Sequence, residues 1–326
     1  GKSWIDLEDA ERDALAENCV TEVVEKSGET ILLSSARNAY IINRVKRMVK
    51  RSVWALQNQL KQGEFYPALT EWAFGEKDNI DSLNFDLAAG QKLHLKGRID
   101  RIDVCQDKEN HLYVKVIDYK SGTTQLDLIK LYYGLQIQLA LYLNAALELE
   151  KKRFPDKIVQ PAGVFYYNTK DPILNKEDVK NPENPQEEIL KKLKMDGICS
   201  SEPEILQKLD KNLAVGKSVE SFAVPVKYTA KGTFSSNSKV ANQKEFAIMM
   251  EYVQDKAKKI GREILKGNTS VNPFEWKKEN ACEYCPYKEI CGFDEKLPGY
   301  EYRKLEKDKS SNLWCLMEEE MERGEK

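Results

Sequence analysis

The stretch GRIDRIDVCQDKENHLYVKVIDYKSG, residues 97–122, decides how the rest of the chain is read. Two apolar runs that carry acidic residues flank the polar turn QDKEN, the pattern of two neighbouring strands. Side chains alternate along a strand, so Asp118 and Lys120 emerge on one face and Tyr119 on the other. The same parity sends Asp100 and Asp103 to opposite faces, so only one of them can join Asp118, and alternation does not say which. An isolated Asp-x-Lys is ordinarily a surface ion pair. Carboxylates from adjacent strands, joined by a Glu from an earlier segment, instead form an all-oxygen set suited to Mg²⁺ or Mn²⁺.

Upstream, YPALTEWAFGE places Glu71 on a short segment that reads as helical and ends before Gly75. Before it, SSARNAYIINRVKRMVKRSVWALQNQLKQG opens on two candidate N-caps, Ser34 and Ser35, and repeats apolar residues at helical spacing through Ile41, Val45, Val53, Leu56 and Leu60. Between Ile31 and Gly63 there are seven Lys or Arg and no Asp or Glu, with Arg44, Arg47 and Arg51 on one face. That face is either solvated or a track for phosphates.

Downstream, LIKLYYGLQIQLALYLNAALELEKKR reads as one helix packed on a sheet and PAGVFYYNT as the next strand. Strands, helix and strand then form a right-handed crossover of an α/β core. Gln138 and Tyr142 lie one turn apart on that helix, and a polar stripe on a buried helix needs a partner. Residues 171–220, rich in proline and paired charges, read as a surface insertion holding little of the core. NQKEFAIMMEYVQDKAKKIGREILKG is a last long helix. The expected division is a main domain over 1–270 and a cysteine-rich segment over 271–326.

Composition sets the outer limits. In 326 residues, 41% are hydrophobic, enough for a core, and 32% are charged with a net charge of only -2, so any polyanion site must be local. No apolar run approaches a bilayer span and the first residues lack a secretory pattern, which points to the cytoplasm. Cys282, Cys285 and Cys291, within ACEYCPYKEIC, have metal-ligand rather than disulfide spacing. Gly216-Lys217-Ser218 is not a phosphate loop, because Lys211 stands where glycine is required. The start GKSW, without an initiator Met, reads as that of a fragment.

Taken together, Glu71, the GRID of Asp100, the IDYKSG of Asp118 and Lys120, and the QLALY of Gln138 and Tyr142 resemble the PD-(D/E)XK nucleases of the RecB type. With GVFYYNTKDPIL, CEYCPYKEICGFD and YRKL, the likeness extends to the nuclease domains of AddAB-type helicase-nucleases and covers the chain from about Arg37 onward. The resemblance implies an α/β, restriction-endonuclease-like core: a mixed central β-sheet flanked by helices. It implies a Mg²⁺ or Mn²⁺ ion held by Glu71, Asp100, Asp118 and the Tyr119 carbonyl, with Lys120 as catalytic lysine. Gln138 and Tyr142 would position the nucleic-acid strand, and Asp103 would be a supporting residue. The three cysteines would ligate a [4Fe-4S] cluster whose fourth ligand is expected upstream of Gly1, leaving the cluster incomplete in this fragment. The early-helix histidine common in the family is not matched by His94 or His111, both on strand-like segments. The implied partners are single-stranded DNA at duplex ends and an AddA-type helicase-nuclease subunit, with no membrane. The activity implied is a metal-dependent DNA exonuclease in double-strand break processing. A free-standing Cas4-like exonuclease and an idle nuclease fold serving as a DNA-binding scaffold are the competing readings.

Overall fold

A computed structural model describes residues 3–27, 34–75, 83–88, 90–175, 185–214, 218–305 and 312–324. Gly216 and Lys217, of the sequence that fails as a phosphate loop, lie outside the described residues.

The polar turn at residues 107–110 joins the two strands expected from the opening stretch, β4 (Gly97–Gln106) and β5 (His111–Lys120), which pair antiparallel. Asp107 organises the turn, accepting from the His111 backbone N–H at 2.8 Å, with His111 Nδ1 at 2.7 Å. The expected early helix is α2 (Ala36–Gln62), after α1 (Asp9–Lys26), and Ser35 caps it by accepting from Asn38 N at 3.2 Å. Its C-terminal half is buried through Ala55, Leu56 and Leu60, whereas Ile41 and Val45 remain exposed.

Glu71 lies on a strand, not a helix: β1 (Tyr66–Phe74) pairs antiparallel with β4, and that pairing overrides the local helical preference. A hairpin, β2 (Asn84–Ala88) with β3 (Gln91–His94), stands apart from the main sheet. His94 Nδ1 lies 2.6 Å from Asn84 Oδ1 within it. The single helix expected after β5 is two, α3 (Leu128–Tyr132) and α4 (Gln138–Arg153), because Gly134 takes φ +80° between them. α4 then leads to β6 (Ile158–Asn168), which pairs parallel with β5.

Residues 171–220 contribute more to the core than their composition suggests. After α5 (Pro185–Lys192) they supply β7 (Asp196–Ser200), which joins the central sheet antiparallel to β6, and α6 (Pro203–Leu209), whose Ile205, Leu206 and Leu209 are buried. A short pair, β8 (Val219–Glu220) with β9 (Lys227–Tyr228), precedes β10 (Val240–Ala241), which closes the sheet in the order β1-β4-β5-β6-β7-β10. β7 lies tight against β6 at Gly197, where a Cβ would fall 1.9 Å from Val164 O. Gly197→Ala is expected to push β7 off β6 and cost about 3 kcal/mol, read as a lower denaturant midpoint with an unchanged slope.

One face of the sheet, carrying Val114, Val116, Val164 and Ile198, packs on α4 and on α7 (Gln243–Leu265), which Asn242 and Glu245 start with a reciprocal capping box. The other face, carrying Tyr113, Ile117, Phe165 and Tyr167, packs on Leu56 of α2 and on α6. The C-terminal segment forms a small sheet of β11 (Phe274–Trp276), β12 (Glu279–Asn280) and β13 (Arg303–Lys304), with a single-turn helix α8 (Lys288–Cys291). It returns through α9 (Leu313–Gly324), whose Met317 is fully buried and whose Glu320 accepts from Tyr252 Oη at 2.8 Å and Lys256 Nζ at 2.7 Å.

Candidate functional site

The strand registers set the site. Thr70 pairs with Arg101 and Trp72 with Ile99, which leaves Glu71 opposite Asp100. Arg101 pairs with Ile117, so the next antiparallel position sets Asp100 opposite Asp118, and Asp118 pairs in turn with Tyr166. Three carboxylate residues thus occupy one row across β1, β4 and β5. Like charges directly opposite one another destabilise a sheet, so such a row needs a cation.

Asp118 and Lys120 share the face covered by α4, with Nζ 2.5 Å from Asp118 Oδ2 and 5.4 Å from the centre of the Tyr166 ring. Burial raises the Asp118 pKa, Lys120 counters it, and neighbouring Asp100 adds to the rise. Asp100 Oδ2 accepts from the Tyr119 backbone N–H at 2.7 Å, tying the two central strands together. Asp103 goes to the opposite face, fully buried, where Arg101 donates to both its oxygens at 2.6 and 2.7 Å and Lys115 Nζ lies 3.3 Å away. Burial opposes its ionisation, but Arg101 and then Lys115 outweigh burial and hold the carboxyl below its ordinary value. Arg101 also reaches Tyr119 Oη at 3.3 Å, so the buried cluster steadies the residue between Asp118 and Lys120.

Glu71 is placed differently from the other two. Its backbone has φ +52°, the left-handed region, and its carboxylate is exposed and bound by Arg98 Nε at 3.0 Å. Arg98 is a site neighbour to which the sequence reading assigns no role, although it stands within GRID two residues before Asp100, where alternation puts it on the same face. Strain of this kind costs about 1–3 kcal/mol and gathers at functional positions. Glu71→Gly is therefore expected to be more stable than Glu71→Ala by about 1 kcal/mol in denaturant unfolding.

Gln138 opens α4 and donates from Nε2 to Tyr142 Oη at 2.8 Å, which supplies the partner that the polar stripe required. Tyr142 is buried edge-on against Phe74 of β1. A Cβ on Gly97 would meet the Phe74 ring at 2.9 Å and Tyr142 Oη at 3.3 Å, so glycine is what lets this pair sit over the start of the Asp100 strand.

The donor set of Asp100, Asp118, Glu71 and the Tyr119 carbonyl is all oxygen, which fits a hard divalent cation. The buried Asp118 Oδ2 has its Lys120 contact but no aligned hydrogen bond. Among the described residues no three His, Cys, Asp or Glu side chains are already gathered at ligand spacing; Glu71 would have to leave Arg98 to join the other two.

The basic helix is partly neutralised. Asp171, just past β6, binds Arg47, and its Oδ1 lies 2.8 Å from Arg51 Nη1. Arg44 is exposed with no ion-pair partner among the described residues. Asp171 stands at the start of the expected insertion, and nothing local in the sequence signals this long-range pairing. Cys282, Cys285 and Cys291 line one cavity of about 300 Å³ and are free thiols, and a hydrogen bond to Cys282 pushes the neighbouring Tyr302 phenol up to about 12. His111 serves the β4–β5 turn and His94 its own hairpin.

A profile of the PD-(D/E)XK nuclease superfamily matches residues 3–292, and the chain belongs to that superfamily. It is also similar to proteins whose names describe them as the B subunit of an ATP-dependent helicase/deoxyribonuclease. The relative from Lachnoclostridium phytofermentans is 39% identical over 98% of this chain and 27% of its own length. Those from Caldanaerobacter subterraneus subsp. tengcongensis and Alkaliphilus metalliredigens are each 38% identical, over 93% and 95% of this chain and 25% and 26% of their own lengths. The chain spans about a quarter of the curated relatives it matches. Among the described residues no helix is long and apolar enough to cross a membrane.

Proposed function

We propose that this chain is the divalent-metal-dependent DNA exonuclease domain of a cytoplasmic helicase-nuclease, hydrolysing the phosphodiesters of a single strand threaded to it during double-strand break processing. The observation that carries the reading is the meeting of Asp100 and Asp118 on adjacent strands, with Lys120 against Asp118, in a chain of a nuclease superfamily. The relatives' printed name supports an AddA-type helicase-nuclease subunit as partner.

Asp100, Asp118, the Tyr119 carbonyl and a reoriented Glu71 would hold Mg²⁺ or Mn²⁺. Bound there, such an ion acidifies its water and neutralises charge on the phosphate. The protein's own groups do the rest. Lys120 Nζ, fixed beside Asp118, handles the proton of the attacking water and faces the charge developing on the phosphate oxygens. The Tyr119 N–H keeps Asp100 oriented, and the Gln138–Tyr142 pair, roofed by Phe74, holds the strand at the entrance. The cysteine cavity would hold three corners of a [4Fe-4S] cluster in the longer parent protein.

The test is cleavage of single-stranded DNA with Mg²⁺ or Mn²⁺ against EDTA, with Asp118→Ala and Lys120→Ala as controls. Cleavage that survives both substitutions removes the site; binding without metal-dependent cleavage by the parent chain returns the idle-scaffold reading. For the basic helix, Arg44→Ala is expected to flatten the salt dependence of DNA binding by about one unit of slope, more than Arg47→Ala does, since Asp171 already holds Arg47.

A further inference from the structure

A cavity of about 730 Å³ lies between the loop that follows β5 and the C-terminal segment. Its wall begins at Thr123, three residues beyond Lys120, so at most about 11 Å of extended chain separates the two. The loop is held rigidly: Thr124 N donates to Asn168 Oδ1 at 2.7 Å, and Asn168 pairs with Lys120 across β5 and β6. The cavity therefore begins a short stretch of chain beyond Lys120, although Asp100, Asp118 and Lys120 themselves do not line it.

Its lining is mixed. Trp276 and the half-buried Trp314 supply aromatic surface and Gln125 supplies an amide, while the Gln136 amide braces the loop by accepting from Asp127 N at 2.9 Å and donating to Gln125 O at 3.1 Å. Lys130, Lys239 and Lys277 bring three positive charges against the carboxylates of Asp127 and Glu279. Lys130 engages Glu279, and Lys277 lies 3.7 Å from Asp127, so each carboxylate in the lining has a cation of its own. Lys239 is fixed by Asp196 at 2.8 Å. Two details point to a ligand. Trp276 is buried with its Nε1 lacking any hydrogen-bond partner, a costly state for an indole N–H. Lys277, in the two-residue turn between β11 and β12, takes φ +58° where glycine or asparagine is normally found, and its side chain is mostly solvent-exposed, 4.8 Å from the Trp276 ring centre.

We propose that this cavity is a base-binding subsite for unpaired DNA, taking the nucleotides next to the phosphate held at Asp118 and Lys120. Tryptophan faces stack bases without regard to sequence, the Gln125 amide can bond their edges, and Lys277, exposed and 3.7 Å from Asp127, meets the backbone, while Lys130 and Lys239 stay with their carboxylates. A lone phosphate would not need two indoles, and an acidic peptide would not need the aromatic floor. The proposal rests on the nuclease reading, and its test is kept separate from cleavage.

Binding of a labelled oligothymidylate is measured in EDTA, where no turnover occurs. Trp314→Ala is expected to weaken binding about tenfold and Lys277→Ala to lower the salt slope by about one. Because Trp314→Ala removes core contacts, Trp314→Phe is run beside it, and bromodeoxyuridine in the oligonucleotide is photocrosslinked to the unsubstituted chain. Crosslinks to Trp276, Trp314 or residues 123–130 support the subsite. Crosslinks confined to other surfaces, or unchanged affinity in both Trp314→Ala and Lys277→Ala, overturn it. A chain that does not cleave yet loses affinity on Trp314→Ala sinks the nuclease reading and keeps the subsite.

Discussion

Asp118→Ala is expected to lower metal-dependent cleavage of single-stranded DNA on the order of a thousandfold, with single-strand affinity in EDTA little changed. Asp118 is the most buried member of the row and sits between Asp100 and Lys120; burial raises its pKa, and Lys120 opposes that rise without reversing it. On the proposed reading, removing it takes away a metal ligand and leaves Lys120 without its anchor, so two functions fail together. Lys120→Ala should cost less, about a hundredfold, because the carboxylates remain. Lys120→Arg tests the point charge against the proton carrier. If its planar, permanently charged group restores full rate, the amine is not handling a proton. Asp118→Asn keeps the shape, and a rate close to wild type there would remove the charge from the argument.

The largest effect on stability is expected from Asp103→Ala. It leaves two cations, Arg101 and Lys115, buried without their shared carboxylate, at a cost of about 3–5 kcal/mol in urea unfolding. Replacing all three with Leu or Met of similar volume should recover most of that loss, because burying an ion cluster gains little over apolar packing. A pH dependence follows. The Asp103 carboxyl is held below its ordinary value in the fold, so its contribution is present at neutral pH and is lost as pH falls from the ordinary carboxylate range through the folded value. Asp103→Asn should flatten that acid limb; an unchanged limb would place the acid sensitivity elsewhere.

Strand alternation within residues 97–122 separates Asp100 from Asp103 and puts Asp118 beside Lys120, because it is a local property that the sequence displays directly. The Gln138–Tyr142 contact is legible for the same reason: it spans one helical turn. The strand at Glu71 is not legible, because β4 imposes it and the left-handed backbone at that residue breaks the alternation that would reveal it. Within the expected insertion, β7 is only five residues long and carries Gly197, so its composition hides a strand that the close approach of β6 makes possible. The pairing of Asp171 with α2 and the Trp276–Trp314 cavity join residues far apart along the chain, beyond the reach of any local window on the sequence.

Chain order also governs how the molecule is made. β5, with Asp118 and Lys120, ends at Lys120 and its covering helix α4 follows from Gln138, whereas α7, which packs on α4, begins at Gln243, and α9, which locks α7, comes after residue 312. A ribosome therefore extrudes the acidic strands and α4 long before the outer helices α7 and α9 that brace α4 exist. On the proposed reading, the site of a nascent chain is fully braced only when translation of this segment is nearly done, so a stalled or prematurely terminated product would carry Asp118 and Lys120 without the layer that holds α4 over them.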